Sequence, residues 1–166
     1  MTLVSMVQGL VGEGVRFVVG GGIASIAHGA TFVTNDLDIC YDAATDNTER
    51  LASLLRGWDA YLRGVEPGLP FTLDARMIRN APILTLRTRE GDIDLMDIVA
   101  GVGAYDSALA RSDEVEALGV RFRALTLDAL IAAKRTSGRP KDRLHLVELE
   151  AIRELRRAKP KRQGSE

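Results

Sequence analysis

The stretch FVVGGGIASIAHGATFVTNDLDICY, Phe17–Tyr41, carries the features that decide the fold. In it, an apolar run, three consecutive glycines and a short helix-forming segment lead to a second apolar run with Asp36 and Asp38. Successive side chains of a strand point to opposite faces, so both carboxylates emerge on one face and Leu37 and Ile39 on the other. Adjacent carboxylates repel each other unless a cation neutralises them, and Mg²⁺ prefers such oxygen ligands. The stretch therefore predicts a strand with a divalent-metal site.

The three glycines, at positions 20 to 22, end the first strand, and Ile23–His28 is predicted to form a short helix. Glycine lets a phosphate approach the main chain closely, and the N–H groups that open a helix point at such an anion. A glycine turn also occurs without any ligand. Here the glycine turn is informative because two aspartates follow Gly22 after a short spacer.

A third acidic side chain lies on a later predicted strand. Ile83–Thr88 and Ile93–Ile98 are predicted to form a hairpin, in which Asp94 could bind a second ion or deprotonate an attacking hydroxyl. Asp92 would share its face one pleat away, whereas Asp97 would lie on the opposite face. Acidic residues also keep a hairpin tip or a sheet edge soluble, which is the alternative interpretation.

The remaining pattern predicts helices on both sides of a mixed sheet, an α+β or α/β fold in one domain over residues 1–158 with a basic polar tail at 159–166. The other predicted elements are a helix from Leu3 to Gly12 or Gly14, a strand at Arg16–Val19, a helix at Thr48–Leu62, a loop at Gly64–Pro70, a strand at Phe71–Asp74, a helix at Tyr105–Arg111, a hairpin turning near Gly119, a helix from Leu127, and a long last helix with Pro140 in its first turn.

Composition decides little about function. The chain of 166 residues has 46% hydrophobic and 27% charged residues, and 22 Lys and Arg against 23 Asp and Glu give a net charge of -1. A global polycation that would bind nucleic acid is therefore excluded. The basic end at residues 153–162 could hold a phosphate-rich partner or could be a solvated helix end. Cys40 is the single cysteine and is interpreted as a small core residue rather than a nucleophile.

The N-terminal segment lacks the basic start and long apolar run of a signal peptide, and no stretch approaches the roughly 20 apolar residues of a membrane span. We therefore expect a cytoplasmic protein without a membrane partner.

The segments GGIASIAHG, Gly21–Gly29, and TNDLDI, Thr34–Ile39, together resemble the signature of the nucleotidyltransferase fold superfamily, the DNA polymerase β-like group. The form with HG and T-x-D-x-D-I is similar to small bacterial AbiEii-type proteins, some of which are toxins of toxin-antitoxin pairs. Lincosamide and aminoglycoside nucleotidyltransferases share that core. Downstream, LTLDALIAAKRTSGRPKDRLHLVELE, Leu125–Glu150, resembles the late segment of the same family.

The resemblance implies a Mg²⁺-dependent enzyme that transfers a nucleoside monophosphate from a nucleoside triphosphate to an acceptor hydroxyl. The acceptor could be tRNA, a protein or a small molecule, and a cognate antitoxin could be a partner. The implied catalytic residues, which would also ligate one or two Mg²⁺ ions, are Asp36, Asp38 and Asp94. The implied nucleotide-binding residues are Gly21, Gly22, Lys134 and Asp142.

Two positions depart from the family pattern. Relatives often carry an arginine two or three residues after HG, where this chain has Ala30, Thr31 and Phe32, and many carry an acid where this chain has His145. Lys134 also fits a surface lysine on an amphipathic helix, and His28 fits a helix cap as well as a ligand contact. The alternatives to an enzyme are a catalytically inactive nucleotide- or partner-binding module of the same fold, or an inert structural partner.

Overall fold

The computed structural model describes residues 3–117 and 119–159, which form seven helices and nine strands. The helices are α1 (Leu3–Gly12), α2 (Gly21–Ala27), α3 (Thr45–Gly57), α4 (Ala75–Asn80), α5 (Tyr105–Ala110), α6 (Leu127–Ser137) and α7 (Pro140–Ala158). The strands are β1 (Phe17–Val19), β2 (Asp36–Tyr41), β3 (Tyr61–Leu62), β4 (Ile83–Thr88), β5 (Gly91–Met96), β6 (Ile98–Val99), β7 (Gly103–Ala104), β8 (Ser112–Ala117) and β9 (Val120–Leu125).

Seven strands form one mixed sheet in the order β3-β4-β5-β2-β1-β9-β8. The pairs β2 with β5 and β1 with β9 are parallel, and the other pairs in this sheet are antiparallel. Strands β6 and β7 form a separate two-stranded ribbon. This mixed sheet flanked by helices confirms the predicted α+β fold class.

The core begins at the centre of the sheet, where apolar side chains alternate with polar ones. On β2 and β5 the side chains of Leu37, Ile39, Ile93 and Leu95 are fully buried. They belong to one apolar cluster with buried residues of α1 and α3. Because a strand alternates its faces, burying these positions turns the intervening aspartates to the other face of the sheet.

Local capping sets the positions of the last two helices. The Thr126 hydroxyl accepts a hydrogen bond from the Ala129 N–H at the start of α6. This helix ends at Gly138, whose φ of 62° is left-handed and favours glycine. Pro140 then opens α7 in the first turn, as predicted, where its missing N–H costs nothing. The tight corner packs α6 against α7.

The predicted helix over Thr48–Leu62 is wrong at both ends. Helix α3 starts at Thr45 and ends at Gly57, and Tyr61 and Leu62 instead pair with β4. The Trp58 carbonyl accepts a hydrogen bond from the Arg89 N–H in the β4–β5 turn. Contacts with a distant hairpin therefore override the helical periodicity of this segment.

The predicted strand at Phe71–Asp74 is also wrong, because this segment has no ladder partner among the described residues. Its last residue caps a helix that the sequence pattern did not predict. The Asp74 carboxylate accepts a hydrogen bond from the Met77 N–H at the start of α4.

Only Lys159 of the predicted basic tail lies within the described residues; the rest of that tail lies outside them. The single domain over residues 1–158 stays a prediction. In the part of the chain that the structure describes, no helix combines the length and apolar character needed to cross a membrane.

Candidate active site

Parallel pairing of β2 with β5 brings the predicted acidic residues together. The register places Asp36 beside Asp92 and Asp38 beside Asp94. One carboxylate oxygen each of Asp36, Asp38 and Asp94 lies within 4.8 Å of the others. Among the described residues these three form a group that could hold a metal ion. That they do so stays a prediction.

Gly21 leaves the space that the Asp38 carboxylate occupies. A Cβ atom at Gly21 would lie 2.0 Å from Asp38 Oδ2, and the φ of Gly21 is +56°. The Gly20 N–H also donates to the Asp38 carbonyl at 2.9 Å, which fixes the start of α2 against β2. Close approach and a left-handed backbone both require glycine at position 21. The main chain at Gly21 thus lies directly beside the acidic group.

Gly22 serves a different neighbour. A Cβ atom there would lie 2.6 Å from Thr34 Cβ. The Thr34 hydroxyl is 3.2 Å from both the carbonyl and Oδ1 of Asp36, so it supports the start of β2. Gly22 therefore admits the side chain that positions Asp36.

The acidic group carries an electrostatic cost that a cation would relieve. Burial, followed by the charges of Asp36 and Asp94 and a hydrogen bond to Asp94, raises the pKa of Asp38 to about 7. Burial likewise raises the pKa of Asp94, although the charge of Arg63 opposes the shift. Asp94 Oδ1 is buried, and Arg63 Nη2 lies 2.9 Å from it. Three carboxylates this close together fit a hard divalent cation such as Mg²⁺.

Arg63 is a site residue that the sequence analysis missed. Its Nη2 atom lies 2.9 Å from Asp94 Oδ1, its Nε lies 3.2 Å from Asp92 Oδ2, and its Nη1 lies 3.9 Å from Asp36 Oδ2. Nη2 also donates a hydrogen bond to the Leu86 carbonyl at 3.0 Å. Because Arg63 follows a strand of two residues, no periodic pattern in the sequence could have found it.

Lys134 and Asp142 meet at the corner between α6 and α7. Lys134 Nζ lies 3.3 Å from Asp142 Oδ1, and the two side chains are 12% and 1% exposed. Asp142 also accepts hydrogen bonds from Ser137 and Arg139. Burial raises the pKa of Asp142, but these hydrogen bonds and the charge of Lys134 outweigh it and lower the pKa to about 2. The positive charge of Lys134 also opposes a part of the upward pKa shift of Asp38.

The two departures from the family pattern contact each other. The rings of Phe32 and His145 stack with their centroids 3.8 Å apart, and Lys134 Nζ lies 5.8 Å from the Phe32 centroid. His145 Nδ1 lies 3.3 Å from Lys134 Nζ. Burial, followed by the charge of Lys134, lowers the pKa of His145, which favours the neutral ring as a hydrogen-bond acceptor.

Two other candidates have structural contacts. His28 ends α2, its Nε2 lies 2.8 Å from the Leu125 carbonyl, and Arg156 donates to its carbonyl. Both contacts favour the capping role over a ligand contact. Cys40 is 1% exposed, and burial followed by the charge of Asp97 raises the pKa of its thiol to about 11. Such a thiol is unsuited to nucleophilic attack.

The mixed sheet with its flanking helices defines a nucleotidyltransferase-like fold. The chain is similar in structure to the antibiotic-resistance factor ANT(2'')-Ia, an aminoglycoside nucleotidyltransferase whose solution structure reveals substrate-regulated conformation dynamics. The match has a TM-score of 0.55 at 13% sequence identity and covers 93% of this chain and 91% of that chain. No family model and no curated protein matches the sequence. The likeness shows the fold.

Proposed function

We propose that the protein is a metal-dependent nucleotidyltransferase that moves a nucleoside monophosphate from a nucleoside triphosphate to an acceptor hydroxyl. The observation that supports this proposal most directly is that carboxylate oxygens of Asp36, Asp38 and Asp94 lie within 4.8 Å of one another on two parallel strands. Gly21 lets the backbone at the start of α2 lie directly beside this acidic group, where the triphosphate would bind.

The acidic group would hold one or two Mg²⁺ ions. A bound ion would neutralise charge on the triphosphate and on the departing pyrophosphate. Asp94, which lies beside Asp36 and Asp38, would take the proton of the acceptor hydroxyl. As the acceptor oxygen bonds to the α-phosphorus, the bond from that phosphorus to pyrophosphate breaks. This direction of proton transfer needs Asp94 ionised when substrate is bound.

Lys134 would bind a phosphate of the nucleotide. An ammonium group has three N–H donors, and Asp142 and His145 lie at hydrogen-bond distance from two of them. The third is left for a ligand oxygen. Asp142 would orient Lys134, because its buried carboxylate is itself fixed by Ser137 and Arg139.

Other features support our proposals for the acceptor and the biological role. The basic end of α7, with Arg153, Arg156 and Arg157, supports an acceptor rich in phosphate such as tRNA. The resemblance of the HG and T-x-D-x-D-I segments to AbiEii-type proteins supports a toxin that pairs with a cognate antitoxin. A protein or a small molecule is the other acceptor class to test.

One observation favours a second function, a nucleotide-binding module without turnover. Arg63 lies among the carboxylates that a metal ion would need, with Nη2 2.9 Å from Asp94. A guanidinium that stays there would neutralise the acidic group in place of a metal.

Label transfer distinguishes the two functions. The protein is incubated with Mg²⁺ and each α-labelled nucleoside triphosphate, together with total tRNA, a protein extract or an aminoglycoside. We expect label on one acceptor class with the unaltered chain and with Asp113→Asn, a control on β8 outside the acidic group, and none with Asp36→Ala. Tight nucleotide binding without transfer to any acceptor would contradict the enzyme and favour the binding module.

A further inference from the structure

The outward side of α7 carries an apolar stripe formed by Leu144, Val147, Ala151 and Leu155. Leu144, Val147 and Leu155 are 76%, 68% and 66% exposed, and Ala151 is also exposed. Spacings of three, four and four residues place all four on one side of the helix, over about 16 Å of its length. Single exposed apolar residues need no explanation, but a continuous stripe marks an interaction surface.

We propose that a second copy of this chain covers the stripe, with the two α7 helices packed antiparallel about a two-fold axis near the middle of the helix. Reversing the helix places Leu144 opposite Leu155 of the second copy, and Val147 opposite its Ala151. An interface between identical subunits must be self-complementary in this way. The small Ala151 lets the two helices approach closely near the axis.

Charges beside the stripe favour the same arrangement. Arg143 and Glu154 lie on the same flank of the stripe near its opposite ends, and both are exposed. Antiparallel packing puts each Arg143 opposite Glu154 of the other copy, twice by symmetry. Parallel packing about a two-fold axis would place Arg143 and Glu154 of the second copy on the other side of the interface, so this pairing would be lost. Glu154 lies 3.5 Å from Arg157 in its own chain, and such an exposed pair gives way at little cost.

The acidic residues closest to the axis already have partners in their own chain. Glu148 accepts hydrogen bonds from the N–H and hydroxyl of Thr31, both at 2.7 Å. Glu150 pairs with Arg135. Both contacts draw negative charge away from the stripe, which reduces the repulsion that two copies would meet there.

Sedimentation velocity tests the association over protein concentrations from about 1 µM to about 100 µM. We expect a monomer–dimer equilibrium for the unaltered chain and for Leu69→Glu, a control at an exposed apolar residue outside the stripe. Val147→Glu and Arg143→Glu should each raise the dissociation constant at least tenfold. The double variant Arg143→Glu/Glu154→Arg should recover dimerisation, and thermal unfolding should show that each variant folds.

An unaltered chain that stays monomeric throughout this range would overturn the proposal, including the case in which it associates only with a different protein. A charge-swapped double variant that dimerises no better than Arg143→Glu would overturn the antiparallel arrangement. The assay reads association alone, so its outcome is separate from the presence or absence of nucleotidyl transfer.

Disulfide trapping tests the orientation independently. In an equal mixture of Leu144→Cys and Leu155→Cys, we expect oxidation to join the two different variants, because antiparallel packing brings these positions together. Neither variant should crosslink to itself. Crosslinking of Leu144→Cys with itself would instead indicate parallel packing. The natural Cys40 is 1% exposed and does not compete.

Discussion

The Asp38 side chain lies between the β2–β5 ladder and the backbone of Gly21, where water reaches it poorly and two other carboxylates are close. Its pKa of about 7 in the folded chain is above the ordinary value of 3.8. The folded state therefore binds more protons than the unfolded state between these values, so its stability falls as the pH rises from about 4 to about 7. Without a cation, the ionised Asp38 opposes folding.

Replacing Asp38 with Asn should therefore stabilise the metal-free protein at pH 8 by about 4 kcal/mol, because the amide carries no charge. Urea unfolding in EDTA measures the difference, and Asp113→Asn is the control at an exposed strand position. Calorimetry should show that Asp38→Asn no longer binds Mn²⁺. If Asp38→Asn is less stable than the unaltered chain at pH 8, burial and the neighbouring carboxylates are not what raises the pKa of Asp38.

A second prediction at this scale concerns Gly21. Gly21→Ala should abolish nucleotidyl transfer, because its Cβ atom would lie 2.0 Å from Asp38 Oδ2. Gly29→Ala is the matched control, since its φ is +103° and nothing lies within 4 Å of its added Cβ. Both variants carry backbone strain of about 1 kcal/mol, but only Gly21→Ala displaces a carboxylate. Equal loss of transfer in the two variants would assign the effect to strain alone.

At the scale of elements, the corner between α6 and α7 depends on Asp142. Its pKa of about 2 in the folded chain lies below the ordinary value of 3.8. The stability that it contributes is therefore fully present above about pH 5 and is lost as the pH falls towards 2. Asp142→Asn should reduce stability at pH 6 by about 2 kcal/mol, with a smaller difference at pH 3.

Urea unfolding of the unaltered chain and of Asp142→Asn at the two pH values checks this expectation, with Asp113→Asn as the control. Asp142→Asn should also raise the KM for the nucleoside triphosphate, because the Lys134 side chain would lose the carboxylate that orients it. A stability difference that does not change between pH 6 and pH 3 would show that the carboxylate charge is not the cause.

Elements with a regular period were the predictable part of the fold. Strand β2 was predicted at its observed bounds, and the hairpin β4–β5 and the α6–α7 corner follow from alternation, glycine and proline. Errors at Thr48–Leu62 and Phe71–Asp74 lie where the chain crosses from α3 to the sheet edge. Pairing of Tyr61 with Arg87 there depends on β4, more than twenty residues later, which local pattern does not encode.

Some residues of the candidate site could likewise be predicted from the sequence, and others could not. Asp36 and Asp38 could be placed on one face from their spacing, and Asp94 from the alternation of its strand. Arg63 could not, because its contacts with Asp92 and Asp94 depend on a strand of two residues. The resemblance to a family indicated Lys134 and Asp142. Their contact with each other could not be predicted, because it depends on the packing of α6 on α7.

At the scale of the whole molecule, metal binding should be visible as stability. A divalent ion that binds only the folded chain stabilises it by about 1.4 kcal/mol at ten times its dissociation constant. For a chain of this size we expect Mg²⁺ or Mn²⁺ to raise the unfolding temperature by roughly 4 °C and EDTA to reverse the change.

Differential scanning fluorimetry with and without the ion measures this shift. Asp36→Asn and Asp94→Asn should lose it, and Asp113→Asn should keep it. A shift of equal size in Asp36→Asn and Asp94→Asn would place the ion elsewhere on the molecule.

The two ends of the seven-stranded sheet discourage uncontrolled growth. An unpaired outer strand can recruit strands of other chains and so begin aggregation. At one end β3 has two residues, too short a template for such addition. At the other end β8 exposes the acidic side chains of Asp113, Glu114 and Glu116, which would repel an incoming copy of the same strand. The sheet thus resists fibre-like polymerisation at both margins, even in a crowded solution.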